Sequence, residues 1–188
     1  MKLQIGVMGS AADLNYSTDL EQVAEDIGRL LALDNCVVLY GAEKDYDSLS
    51  TAAARGAKKV NGVTIGITYG VNKNLFDKVV TDVCIATGLE RGGGREFVLI
   101  ASCDAIIVIS GGSGTLTEVA QAYQLDIPII VLEGTGGWAD KLANTYLDDR
   151  KRRKIIGVKT AKEAVDLAIQ LALEKLNKEK NNQEDTIK

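Results

Sequence analysis

The sequence predicts an α/β protein with a Rossmann-like, doubly wound, mainly parallel sheet of about seven strands and helices on both faces. Three observations carry that prediction. Seven short, β-branched runs are almost continuously apolar, as strands covered on both faces require. Amphipathic segments, apolar at every third or fourth position, lie between most of them. Glycine-rich turns follow several of the runs, where a strand hands over to a helix.

The first run, 3–8, leads into Gly9-Ser10-Ala11-Ala12. The first helix follows, with Leu20, Val23, Ala24, Ile27, Leu30 and Leu31 on one stripe; Thr18 and Glu21 have the spacing of a capping box. A second strand, 36–40, precedes an alanine-rich helix at about 48–59. Strands at 63–68 and 79–86 come next, and then a helix holding Phe97, Val98, Ile100 and Ala101. The run 105–109 is the most apolar strand, and the helix after it places Leu116, Val119, Ala120 and Tyr123 on one face. Strand 129–132 leads through Gly134-Thr135-Gly136-Gly137 to a helix with Trp138, Leu142 and Tyr146, with Trp138 assigned to the core. After a charged run at 148–154, read as a solvated loop, strand 155–158 precedes the last helix, where Thr160 and Glu163 form another capping box. One nucleotide-binding domain over 1–176 is expected, followed by a polar, disordered tail at 177–188.

Bulk properties narrow the function. A chain of 188 residues with 46% hydrophobic and 26% charged residues can bury one sizeable core. A net charge of −4 argues against broad nucleic-acid binding. No run suits a signal peptide or a bilayer span, so a cytoplasmic location is expected. Cys36, Cys84 and Cys103 lack metal-type spacing and read as small buried hydrophobes, and no metal site is expected. The chain contains no histidine, which excludes a Ser-His-Asp triad and imidazole ligation, and leaves acid–base work to carboxylates, lysine, tyrosine, cysteine or hydroxyls.

The chemistry concentrates after strand 105–109, in Ser110-Gly111-Gly112-Ser113-Gly114-Thr115-Leu116-Thr117-Glu118. A glycine-rich turn opening a helix lets backbone amides approach an anion, and the helix N-terminus adds positive potential. Glu118 gives a phosphate cradle no benefit, so it suggests a ligand with hydroxyls or a developing cation beside the phosphate; near a helix N-terminus its ionised form is expected. Gly9 and Ser10 would line the same edge, with the Ser10 hydroxyl donating to phosphate or ribose. In Arg91-Gly92-Gly93-Gly94-Arg95, Gly94 permits close approach and Arg95 offers bidentate donation. Gly136 would line the far side. The junction Gly41–Asp47, rich in charge, is a wall at most.

Gly111 to Glu118 resembles the PGGxGTxxE signature of the Lonely Guy, or lysine-decarboxylase-like, superfamily, and the similarity extends from Gly6 to about Ala168. Gly94-Arg95 and the 134–140 segment look closest to the molybdenum-cofactor carrier branch. The resemblance implies a Rossmann-like fold, a homo-oligomer, and a small phosphorylated ligand, a bound nucleotide or molybdenum cofactor, with no cofactor required. Together with the residue reading above, the ligand-binding residues expected are Gly9, Ser10, Gly94, Arg95, Gly111, Gly112, Ser113, Gly114, Thr115, Glu118 and Gly136. In the enzyme branch, Arg95 and Glu118 would be the catalytic pair of a phosphoribohydrolase, which releases free base and ribose 5-phosphate from a nucleoside monophosphate. Three departures stand out. Ser110 replaces the signature proline, read as a mild change. Gly94-Arg95-Glu96 lacks the usual methionine and second basic residue, and the second junction lacks a glycine cluster. The last two favour binding over catalysis.

Overall fold

The computed structural model describes residues 1–92 and 94–186, with side-chain surroundings through residue 182; Gly93 and the last two residues of the 177–188 segment lie outside it. Seven parallel strands form one sheet in the order β4-β3-β2-β1-β5-β6-β7. They are β1 (Gln4–Gly9), β2 (Val37–Gly41), β3 (Val63–Thr68), β4 (Val83–Ala86), β5 (Ala105–Ile109), β6 (Ile129–Leu132) and β7 (Ile156–Val158). The chain winds outward from β1 to β4, then crosses back to place β5 on the other side of β1. The switch between β1 and β5 is where open α/β sheets hold ligands.

Alternate residues of the central strands feed two cores, which is why those runs read as continuously apolar. Ile5, Val7, Ala105, Ile107 and Ile109 pack under α1 (Thr18–Leu33), α2 (Leu49–Lys58) and α6 (Ala161–Thr186). Met8, Leu39, Ile106, Val108 and Val131 pack under α3 (Arg95–Ala101), α4 (Ser113–Gln124) and α5 (Gly137–Leu142). Among the described residues no helix is long and apolar enough to cross a membrane.

Several local expectations change. Ser17, not Thr18, caps α1 by accepting from Leu20 N, and Glu21 pairs across the helix contact with Arg55. The capping box at α6 forms reciprocally: Thr160 N donates to Glu163 Oε2 and Glu163 N to Thr160 Oγ1. Residues 79–82 turn rather than extend, because Thr64 Oγ1 and Asp82 tie that turn to β3, so β4 starts at Val83. Helix α5 stops at Leu142, and Tyr146 instead bridges to Lys154. The charged run between them is latched as well as solvated: buried Tyr123 donates to Asp148 and accepts from Arg152 N. Helix α6 continues to Thr186, through most of the segment expected to be a disordered tail.

Helices α1 and α2 touch backbone to backbone. A Cβ at Gly28 would lie 1.7 Å from the Ala53 carbonyl oxygen, and one at Gly56 would lie 1.8 Å from that of Glu25. Gly28→Ala is therefore expected to force the helices apart and cost about 2 kcal/mol, even though alanine favours a helix by about 1 kcal/mol. Thermal unfolding should show Tm lower by about 4–8 °C; an unchanged or raised Tm would contradict the contact.

Candidate functional site

Register pairs Gly9 with Ile109 at the carboxyl ends of β1 and β5, so both turns leave the sheet side by side. A cleft of about 440 Å³ opens there.

The motif turn adopts a conformation that the signature proline could not. Ser110 has φ +56° and Gly111 φ +103°. A proline ring holds φ near about −65°, so Ser110 is not a mild replacement. Its N–H, which proline lacks, donates to Thr135 Oγ1 at 2.8 Å. The Ser10 hydroxyl donates to Ser110 Oγ at 3.0 Å and accepts from Gly111 N at 2.9 Å. Ser10 is thus a buried brace between the two turns, with its hydroxyl already engaged rather than free for a ligand. A side chain at Gly111 would collide with Thr115, whose hydroxyl makes a long 3.4 Å contact back to the Gly9 carbonyl.

Behind this turn, α5 points its N-terminus at the loop. Ala139 N donates to Ser110 O and Trp138 N to Gly111 O. A Cβ at Gly137 would fall 2.5 Å from Gly111 O, so glycine is what allows this approach. Gly136 therefore lies on the supporting side, held by Asp140, and does not line the cleft. Trp138 is half-buried against the core under Lys141.

The front of the turn is open. The first bond of α4 runs from Leu116 N to Gly112 O, so the amides of Ser113, Gly114 and Thr115 precede the helical ladder. Gly112 gives no side-chain cap, the first turn has no acidic residue, and a Cβ on Gly114 would meet nothing within 4 Å.

Beside it sits a buried charge cluster. Arg95 is 4% exposed; its Nη2 lies 2.9 Å from Glu43 Oε1 and 3.3 Å from Glu96 Oε1, while its Nε has no hydrogen-bond partner. The guanidinium rests against bare Gly41, where a Cβ would be 2.0 Å from Nη1. Arg91 reaches Glu43 Oε2 at 2.8 Å, and Glu96 accepts from Gly92 N. Glu118, 8% exposed, faces this group from α4. Burial raises its pKa from 4.5 to about 7; Arg95 opposes the shift, and Glu96 and Glu43 reinforce it. Loss of water thus works against the expectation that Glu118 is held ionised. Burial likewise pushes the Cys103 thiol up, with Glu118 adding to the effect.

Of the predicted residues, Gly9, Gly112, Ser113, Gly114, Thr115, Arg95 and Glu118 line the cleft. Ser10, Gly111, Gly94 and Gly136 stand behind it and shape it. Gly94 caps α3 at φ +136°. Sequence reasoning gave the junction that holds Glu43 and Tyr46 the role of a wall at most, assigned no site role to Glu96, and treated Arg91 only as part of a glycine loop. The available signal was topological: β2 neighbours β1, so the residues after Gly41 emerge at the same edge whatever their glycine content. Cys36 and Cys103 are buried, Cys84 is half-buried, and all three are free thiols. Among the described residues no group of three or more His, Cys, Asp or Glu could hold a metal ion.

Comparison with known proteins agrees with this architecture. The model of the SLOG cluster4 family matches residues 2–165. An uncharacterized protein of Archaeoglobus fulgidus is 32% identical over 125 residues, which is 66% of this chain and 76% of that protein. The X-ray structure of the structural-genomics target TM1055 is 30% identical, with a TM-score of 0.79 over 90% of this chain and 99% of that one. The molybdenum cofactor binding protein of Rippkaea orientalis is 28% identical, with a TM-score of 0.75 over 91% of this chain and 98% of its own. The molybdenum cofactor carrier protein of Chlamydomonas reinhardtii is 26% identical, with the same score and coverage. The family match runs from β1 into α6 and takes in both turns of the cleft: the chain belongs to the SLOG cluster4 family, a Lonely Guy-type family, with molybdenum-cofactor carrier proteins among its structural neighbours.

Proposed function

We propose that this protein binds a small phosphate-bearing ligand, a nucleotide or a molybdenum cofactor, and acts as a carrier. The observation that carries the reading is the uncapped N-terminus of α4 facing a cleft beside buried Arg95. Four cleft carboxylates, Asp13, Glu43, Glu96 and Glu118, outnumber two arginines, so net charge does not draw in the anion. The amides of Ser113, Gly114 and Thr115 and the helix dipole do. A volume of about 440 Å³ suits a nucleotide-sized molecule. The residues fit a molybdenum cofactor in the same way: its phosphate would lie on the α4 amides, and Arg95 Nε is a donor still without a partner. The neighbours described as binding or carrying that cofactor support the choice. A cytoplasmic setting suits three free thiols. Self-assembly suits the apolar row Val63, Val83 and Ile85 at the β4 edge, each more than a third exposed.

Gly114→Asp tests the reading. The side chain has room, and an acid in the first helical turn favours the helix. Isothermal titration with nucleoside monophosphates and with the molybdenum cofactor should show binding to the native protein. In the variant, affinity should fall about tenfold or more, with Tm unchanged, because the new carboxylate takes the anion's place. Equal affinity in the two proteins would refute the assignment.

A second reading, phosphoribohydrolysis, is favoured by one observation: a carboxyl that titrates near neutrality beside an arginine. Release of free base during the same incubations would select it over carriage.

A further inference from the structure

The cleft's outer rim carries a side-chain group that phosphate binding does not use. Arg91 lies against two phenol rings, its Cζ 5.0 Å from the Tyr46 centroid and 4.7 Å from that of Tyr69. Its terminal donors are engaged: Nη1 bonds Tyr46 Oη and Nη2 bonds Tyr69 Oη at 2.9 Å, while Nη2 also pairs by charge with Glu43 Oε2 at 2.8 Å without hydrogen-bond geometry. Tyr69 in turn donates to Asp45 Oδ2 at 2.9 Å, and Lys44 Nζ lies 4.6 Å from its ring centroid. With those donors satisfied, what the group offers a ligand is flat surface. Tyr46 and Arg91 both line the cleft, while Tyr69 backs them. Leu14 lines the same cleft, 53% exposed, with its Cδ1 lying 2.8 Å from where a Cβ on Gly112 would be. An apolar side chain left in water beside an α-helix N-terminus, in one cleft with a backed aromatic ring, suits a ligand that is both charged and planar.

We propose that Tyr46, backed by Arg91 and Tyr69, is a stacking subsite for the planar heterocycle of the ligand, with Leu14 as an apolar contact. The inference rests on the phosphate-binding reading and adds to it the residues that would select a phosphorylated heterocycle over a sugar phosphate. Guanidinium and phenol faces are stacking surfaces, and stacking tolerates many ring types.

The test compares guanosine and adenosine 5′-monophosphates with ribose 5-phosphate by isothermal titration. Native protein should bind the nucleotides more tightly than ribose 5-phosphate. Tyr46→Ala should weaken nucleotide binding about fivefold or more and leave ribose 5-phosphate within about twofold, whereas Tyr46→Phe should retain nucleotide affinity. Should Tyr46→Ala lose its native circular dichroism, Tyr46→Leu serves in its place, keeping bulk without a flat ring. The proposal is overturned if both ligand types weaken alike, if neither weakens, or if Tyr46→Phe behaves as Tyr46→Ala. If native protein binds neither these phosphates nor the molybdenum cofactor in the same titrations, the phosphate reading itself fails, and the inference with it.

Discussion

Replacing Arg95 by alanine or methionine is expected to cost the fold about 3–5 kcal/mol, the usual penalty for removing one partner of a buried charge group. Arg95 is the one cation buried among Glu43, Glu96 and Glu118 in the described cleft, and its own side chain is 4% exposed. Without it, three carboxyls share a site with little water. Methionine restores much of the volume but none of the charge, so similar losses in the two variants would identify electrostatics as the cause. Thermal unfolding should report a Tm lower by about 6–20 °C. Arg95 is also what opposes the upward shift of Glu118, so in these variants Glu118 should titrate above about 7. A variant as stable as the parent would show that the cluster does not depend on Arg95.

Glu118→Gln is expected to stabilise the protein above neutrality. The folded pKa, about 7, lies above the unfolded value of 4.5, so the native state holds the proton more tightly. Below pH 4.5 the carboxyl is protonated in both states and contributes no difference. Between 4.5 and 7 the unfolded chain ionises first, and native stability falls as pH rises. Above 7 the full cost persists, on the order of 3 kcal/mol for a shift of this size. Glutamine has nearly the same shape and never ionises. The stability difference between variant and parent, from denaturant unfolding at several pH values, should therefore grow between pH 4.5 and 7 and then level off. A difference independent of pH would place the titration elsewhere.

Different parts of this molecule were legible to different degrees. Strand β5 and helix α4 were readable because their signals are local: a five-residue apolar run, then glycine, then a 3.6-residue stripe. The capping box of α6 was readable for the same reason, since Thr160 and Glu163 are three residues apart. The box expected at α1 fails because Ser17, one residue earlier, is a competent cap and Glu21 has a stronger partner in Arg55, 34 residues away. Strand β4 was overextended because Val79 and Val80 look like strand residues, while the bond that turns them belongs to Thr64 of β3.

By itself, the sequence determined the alternation of strands and helices, the parallel sheet they imply, and a glycine turn where amides could meet an anion. Period and glycine content decide those features within a few residues. Only the tertiary structure decided what surrounds that turn. It spent the Ser10 hydroxyl on a brace 100 residues long in sequence, gave Ser110 a φ that proline cannot adopt, and set Gly136 behind the loop. It also brought Glu43 to Arg95 and Tyr46 to Arg91, across 52 and 45 residues. The physical reason is strand order. Placing β2 beside β1 and β5 on its other flank brings three loops to one edge. There, exclusion of water raises the proton affinity of Glu118, against the pull of Arg95.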